Sequence, residues 1–372
     1  MHLILKEDVF ICSAARTPIG RFDGNLAEFS AVDLGAVALA AALERAGVDP
    51  ARVEAATLGN VVKSGLGMAP AKAAAVKAGL PETIVARCVD SVCGSALEAV
   101  NMTVEAIAAG VMQVGVAGGM EARSQAPYLL GPKFTRNSGE FQKGKRPRMK
   151  RAGAYRWALD GAEPEQLKAL EIKDSVSYDG LFWPTERKFM REYALAFAKK
   201  QGYTVEQINA YAEQSHRKAR LAIESGWFVD EIAPCGDVAV DQVVSDEKLA
   251  AMREECADDP AGSYNASVPA DGAAAVVVAS GAAVKALGLT PMARVVACGR
   301  VHCPAPEFLT APVDAANELS EALRAAGQPG DFPIIEANEA FGIQLPFFEA
   351  SFPGAAINVH GGAVALGPPL GA

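Results

Sequence analysis

Twice in this chain an apolar run ends at a polar junction and gives way to a stretch of small, helix-forming residues. "VEAATLGN" (53–60) is answered by "FPIIEANE" (332–339), and "ARCVDSVCGSAL" (86–97) by "AAINVHGGAVAL" (355–366). The identities are few, but the order of events is shared. Short apolar runs alternating with helical patterns read as strand–helix–strand units, whose parallel strands must be covered by helices on their faces. Two topologically similar α/β halves are expected.

The intervening punctuation fills in the plan. "DVFICSA" (8–14) reads as the first strand, and the turn-rich "ARTPIGRFDGN" leads toward a helix. Ser30 and Asp33 form a capping-box pair at its start and Gly47 lies past its end, with Leu34, Val37, Ala41 and Leu43 as its core stripe. "VEAATLGNVV" is a second strand, "APAKAAAVKAGL" (69–80) a small-residue helix and "TIVARCV" (83–89) a buried strand. After Cys93 a helix carries Leu97, Val100, Val104 and Ile107 on one face and stops at Gly110. "QVGVAGG" (113–119) and "DGAAAVVVAS" (271–280) complete the first half. In the second, "ARVVACGRV" (293–301) is a strand and "PVDAANELSEALRAAG" (312–327) a helix.

This divides the chain into a first half over 1–119, completed by 267–283, an inserted loop domain over 120–266, and a truncated second half over 284–372. The insert holds a basic run from Lys133 to Arg151, read either as a solvated surface or as a platform for a phosphorylated ligand or partner subunit. It also holds the acid-rich "DGAEPEQLKALEIKD" and a helix capped by Thr204 and Gln207.

Composition excludes several classes. The net charge of −9 disfavours nucleic acid as a partner. No apolar run is long enough to span a bilayer, and the N-terminus lacks the flanks of a secretory signal, so no membrane partner is expected. The seven cysteines are scattered and without CxxC pairs, which argues for reduced thiols in a cytoplasmic setting and against a disulfide frame or structural zinc.

Of these cysteines, Cys93 stands where an extended run turns into a helix. One reading makes it a small residue packed in a tight corner. The other makes it a nucleophile, because the unpaired N–H groups and dipole of a helix start lower a thiol pKa and can hold an oxyanion. Gly94 and Ser95 leave room for a ligand backbone. Sulfur is both a good nucleophile and a good leaving group, so a thiolate there suits acyl transfer between thioesters.

The blocks "RTPIGRFDGNL", "LGNVVKSGLGMAPAKAAAVKAGLP", "VCGSALEAV", "AGGMEARSQAP", "NEAFG" and "NVHGGAVALG" closely resemble the thiolase family, acyl-CoA:acetyl-CoA C-acyltransferases, in the expected order over nearly the whole chain. The resemblance implies the thiolase α/β fold: two duplicated βαβαβαββ halves in a five-layered α/β/α/β/α arrangement, with a loop domain, in a homodimer or homotetramer. It implies acyl-CoA and coenzyme A as substrates, with no cofactor and no metal, and a place in chemistry of the beta-oxidation type. On this resemblance Cys93 is the acylated cysteine. Asn338 positions a water in an oxyanion hole, and Phe341 lines the acyl pocket. Ser267 lies near the pantetheine, and Met190 is in register with the family's Met-Gly-x-Thr-Ala-Glu stretch.

The chain departs from the family pattern in places. Val268 and Ala270 replace a glycine and a polar residue after Ser267, and Phe189, Arg191 and Leu195 replace histidine, glycine and glutamate around Met190. After "GGAVALG" the family reads Gly-His-Pro, whereas this chain reads "GPPLGA", with Pro368 at the histidine position. Proline has no titratable group. His360, eight residues earlier, reads as a structural strand-end residue. The family's second, proton-transferring cysteine lies in a segment these residues do not include.

Two readings follow. The first is a thiolase that cleaves a 3-oxoacyl-CoA with coenzyme A, or runs the reverse Claisen condensation, through an acyl-cysteine. The second is a non-catalytic or partner-dependent thiolase-like acyl-CoA-binding subunit, with an accessory subunit a possible partner. The ketoacyl-synthase branch of the same fold is disfavoured by the "GGMEARSQAP" and "NEAFG" blocks.

Overall fold

A computed structural model of the chain describes residues 1–130 and 172–372. The basic run from Lys133 to Arg151, and the acid-rich stretch up to residue 171, lie outside the described residues.

The first half follows its sequence closely. It runs β1 (His2–Arg16), α1 (Ala31–Ala46), β2 (Ala55–Gly59), α2 (Pro70–Lys77), β3 (Val85–Val89), α3 (Ser95–Ala108), β4 (Val114–Ala122) and β5 (Ala270–Ser280). The Ser30 hydroxyl accepts the Asp33 amide at 3.2 Å while the Asp33 carboxylate accepts the Ser30 amide at 3.0 Å. Gly47 closes α1 in the left-handed region at φ 62°, where only a residue without a Cβ sits at no cost.

These strands pair in the order β3–β2–β4–β5–β1, β5 antiparallel to its neighbours and the others parallel to one another. Successive side chains of a strand point to opposite faces, and β5 shows it. Val277 packs with Leu34, Leu39, Ala74 and Leu58 beneath α1 and α2. Val278 packs with Val104, Ile107 and Val9 beneath α3. All of β2 and β4 is buried, as the centre of a sheet covered on both faces must be.

Two expectations are corrected. Strand β3 is the sheet's edge and is not buried: Val85, Arg87 and Cys88 are exposed. Leu97 was placed on the buried face of α3, yet it is 66% exposed, while Val104 and Ile107 do face the core.

The second half reads β6 (Ala293–Gly299), α7 (Ala311–Ala325), β7 (Ile334–Ile335), α8 (Leu345–Ser351), β8 (Ala356–Ile357) and α9 (Ala363–Leu366). Between the halves lie α4 (Ser175–Leu181), α5 (Met190–Gln201) and α6 (Val205–Glu224), the last carrying the expected Thr204–Gln207 capping box. Strands β7 and β8 pair parallel with each other, but β6 pairs antiparallel with the free edge of β1. A clamp fixes β6 in place: Arg300, just after it, donates to Glu98 at 2.6 Å and to Glu105 at 3.1 Å, both on α3.

Candidate active site

Cys93 lies beyond the C-terminal end of β3, in a four-residue turn that runs into α3. Val92 takes φ 51°, a left-handed conformation that costs a β-branched residue strain. The turn is held by Ser95, whose hydroxyl accepts the Ser91 amide at 2.8 Å and donates to the Val92 carbonyl at 2.6 Å. It follows that Cys93 is exposed, although the residues on either side of the turn are fixed.

The expected lowering of the thiol pKa by the helix start is not found. Gly94 and Ser95 spend their N–H groups on the Ser91 and Val92 carbonyls, each at 3.1 Å. The crowding of protein around the thiol pushes its pKa up, opposed by Arg123 and by the cysteine's own amide.

The floor beneath this turn is made of glycines. A Cβ on Gly59 would meet the Gly371 carbonyl and the backbone of Ser95 and Ala96, and one on Gly119 would meet Gly371 and Ala372. The final segment thus threads along the carboxyl ends of β2 and β4 and the amino end of antiparallel β5, on the side where open α/β sheets place their ligands. Gly367, at φ 86°, abuts the Val268 carbonyl, Pro369 abuts Gly272, and Leu370 is buried with Val61 and Val62. Half-buried Pro368 sits in this thread.

Sequence reasoning missed the charged groups under the floor. Glu121 is fully buried and accepts the Asn60 amide at 2.8 Å and the Val61 and Val62 amides at 2.9 and 3.2 Å. Burial pushes its pKa up against those donors. Arg123 is 2% exposed, and burial pushes its pKa down, opposed by Glu121, Cys93, Asp174 and Asp271. The signal was present in "GGMEARS": a carboxylate and a guanidinium in an otherwise apolar strand end must find buried partners.

The remaining candidates form a second group. Ser267 hydrogen-bonds the Ala340 carbonyl through its amide at 3.0 Å and its hydroxyl at 3.1 Å, and Ala266 bridges Phe341. Phe341 is buried with Ala194, Phe197 and Leu309, and half-buried Met190 opens the helix α5 that carries the first two. Asn338 is exposed, and among the described residues its amide makes no hydrogen bond. Its loop is rigid because buried Glu339 accepts Ser215 at 2.6 Å, Asn358 at 2.7 Å and the Val364 amide at 3.1 Å. Contact between the groups runs through the final segment, from Val268 to Gly367 and on through Gly371 to the start of α3. His360 is elsewhere, its ring 4.9 Å from Trp227 and 5.8 Å from Phe228, as a packing residue would be.

The described residues form an α/β protein with an exposed cysteine on a fixed turn beyond the carboxyl end of its edge strand. The chain belongs to the thiolase family: residues 9–282 match "Thiolase, N-terminal domain" and residues 289–372 match "Thiolase, C-terminal domain". It is 40% identical over 384 residues to the acetyl-CoA acetyltransferase of Escherichia coli, covering 98% of this chain and 89% of that protein. It is 35% identical to that of Thiocystis violacea, covering 99% and 90%. Among solved structures, a thiolase from Ascaris suum in complex with coenzyme A superposes with a TM-score of 0.81 at 32% identity, over 98% of this chain and 90% of that one. Human mitochondrial 3-ketoacyl-CoA thiolase in complex with CoA gives 0.80 at 30%, over 100% and 89%.

Proposed function

We propose that the chain is an acyl-CoA C-acyltransferase in which Cys93 attacks C3 of a 3-oxoacyl-CoA. The C–S bond forms, the C2–C3 bond breaks, and its electron pair leaves on C2 as the acetyl-CoA enolate, which takes up a proton. The thiol of coenzyme A then attacks the acyl-Cys93 thioester, gives up its proton and expels the Cys93 thiolate. The observation that carries this reading is the exposed Cys93 on a strained, well-fixed turn at the carboxyl edge of a thiolase-type sheet.

In this reading the exposed Asn338 amide holds a water toward the developing oxyanion. Met190 and Phe341 wall the acyl group and Ser267 borders the pantetheine. A cavity of about 400 Å³ lined by Val61, Lys63, Asp90, Tyr178 and Phe182 lies beside the cysteine turn and offers an approach for the thioester. Coenzyme A is a substrate, and the chemistry needs no cofactor. The three-part division of the chain belongs to the same proposal, as do a cytoplasmic location and a role in beta-oxidation.

The exposed edge strand β3 favours a homodimer or tetramer. Val85 is 52% exposed on it, and Leu97, on the helix that packs against it, is 66% exposed. An unpaired sheet edge flanked by apolar side chains is a pairing surface.

Thiolysis of acetoacetyl-CoA by coenzyme A, followed for the parent chain and Cys93→Ala, tests the reading. Loss of at least about 1,000-fold in the variant is expected; a Cys93→Ala chain as active as its parent would refute it.

A further inference from the structure

The cavity beside the cysteine turn bears on which acyl group Cys93 takes up. Its apolar wall is Val61, Tyr178 and Phe182, and its polar wall is Lys63, Asp90 and Asp179. Its volume of about 400 Å³ is that of a site for a drug-sized ligand, more than an acetyl group fills. The Asp90 carboxylate accepts the Val92 amide at 3.3 Å, so the cavity shares a wall with the cysteine turn itself.

The apolar wall is a run of rings. Tyr178 and Phe182 stack with centroids 5.0 Å apart at 22°, and Phe182 meets Phe189 at 5.1 Å and 57°. Phe182 and Phe189 are also backbone partners in a short antiparallel ladder. Phe189 stands where the family pattern has histidine, and Met190, assigned above to the acyl wall, follows it directly. The rings therefore lead from the acyl wall to the cavity. The helix α4 that carries Tyr178 is held close: a Cβ on Gly180 would meet Leu370 at 2.8 Å, and Leu370 is buried with Val61 and Val62. The wall is preformed, so little ordering is needed when a ligand arrives.

The polar wall does not suit an anion. The three N–H donors of Lys63 are committed to the Asp90 carboxylate at 2.7 Å and to the Asn60 and Val61 carbonyls at 3.1 and 3.4 Å. Asp179 adds a carboxylate, and the Lys173 ammonium lies over the Tyr178 ring, 3.9 Å from its centroid. A neutral ring fits this wall better than an alkyl chain does, because aromatic pairs add edge-to-face and offset-stacking attraction to the area they bury.

We propose that the cavity receives a neutral aryl group at the far end of the acyl chain, with Tyr178 and Phe182 as specificity-determining residues. The inference rests on the reading of the chain as an acyltransferase that uses acyl-CoA, but it is tested by binding alone.

The test is calorimetric titration of the parent chain, F182L and Y178L with two CoA thioethers that cannot acylate a thiol, S-(3-phenylpropyl)-CoA and S-(3-cyclohexylpropyl)-CoA. The two tails are alike in size, and the cyclohexyl tail is the more hydrophobic. The parent should bind the phenyl thioether about three- to tenfold tighter. F182L and Y178L should lose that advantage while still binding the cyclohexyl thioether. A parent with no phenyl preference, or one that prefers S-(4-carboxybutyl)-CoA to both, overturns the proposal. So does a folded F182L that keeps the parent's preference. Should both leucine variants fail to fold, S64F decides: Ser64 also lines the cavity, and a ring placed there should abolish the preference. An unchanged preference in S64F overturns the proposal. A phenyl preference in a chain that forms no acyl-Cys93 would keep the aryl site and remove the acyl-transfer reading. Thiolysis of acetoacetyl-CoA by a chain without that preference would do the reverse.

Discussion

The carbonyl oxygen of Gly371 occupies the space that a β-carbon on Gly59 would need. One residue ends β2 and the other lies in the final segment, so the contact ties the chain's last residues to the floor of the cysteine turn. The backbone of Ser95 and Ala96 closes the same space from the other side, each within 2.7 Å of that β-carbon position. None of these neighbours is a side chain that could turn away.

Gly59→Ala should therefore destabilise the chain by about 1–3 kcal/mol, as overpacking does, and slow acylation of Cys93 by displacing the start of α3. Gly354 has nothing within 4 Å of its β-carbon position, so Gly354→Ala is the control. Equal melting temperatures for the two variants would show that the floor is not closed.

Pro368→His should improve acylation. Gly367 and Pro369 are pinned against Val268 and Gly272, so the backbone at 368 is held in the thread that reaches the cysteine turn. Restoring a base there should speed transfer from acetyl-CoA to Cys93 about a hundredfold, the low end of what general-base help supplies. Single-turnover acylation rates measure it, and a variant no faster than its parent would mean that this thread does not present residue 368 to the thiol.

Glu339→Ala should cost about 2–4 kcal/mol in urea unfolding, because Ser215, Asn358 and the Val364 amide lose their shared acceptor in a buried site. Glu339→Gln, which keeps an acceptor oxygen, should cost less. A Glu339→Ala chain within about 0.5 kcal/mol of its parent would remove the argument that this carboxylate fixes the Asn338 loop.

Acid should weaken the fold through His216. Burial pushes its pKa down to about 4 from 6.5, and Nε2 has no partner among the described residues. The unfolded chain binds a proton near pH 6.5 and the folded chain only near 4. Stability is thus lost as pH falls through that window, by up to about 3 kcal/mol. His216→Gln should flatten the dependence between pH 7 and 4.5. An unchanged slope would assign acid sensitivity to other groups.

The first half was legible because its signals are local: a capping box at Ser30, a glycine at 47 and apolar runs of strand length all point to one structure. The exposure of β3 and Leu97 was not, since an apolar strand reads the same whether its neighbour is its own sheet or a second molecule. The pairing of β6 with β1 joins segments almost 300 residues apart, which periodicity does not encode. Cys93 was readable from its position, but not the state of its thiol. That depends on Gly94 and Ser95 spending their amides on the turn.

The most direct test of the whole account is rapid-quench mass spectrometry after mixing the chain with acetoacetyl-CoA in the absence of free coenzyme A. The account predicts a single acetyl group on the peptide that contains Cys93, absent in Cys93→Ser and released when coenzyme A is added. An acetyl group on exposed Cys88 instead, or none on any cysteine while substrate is consumed, would contradict it.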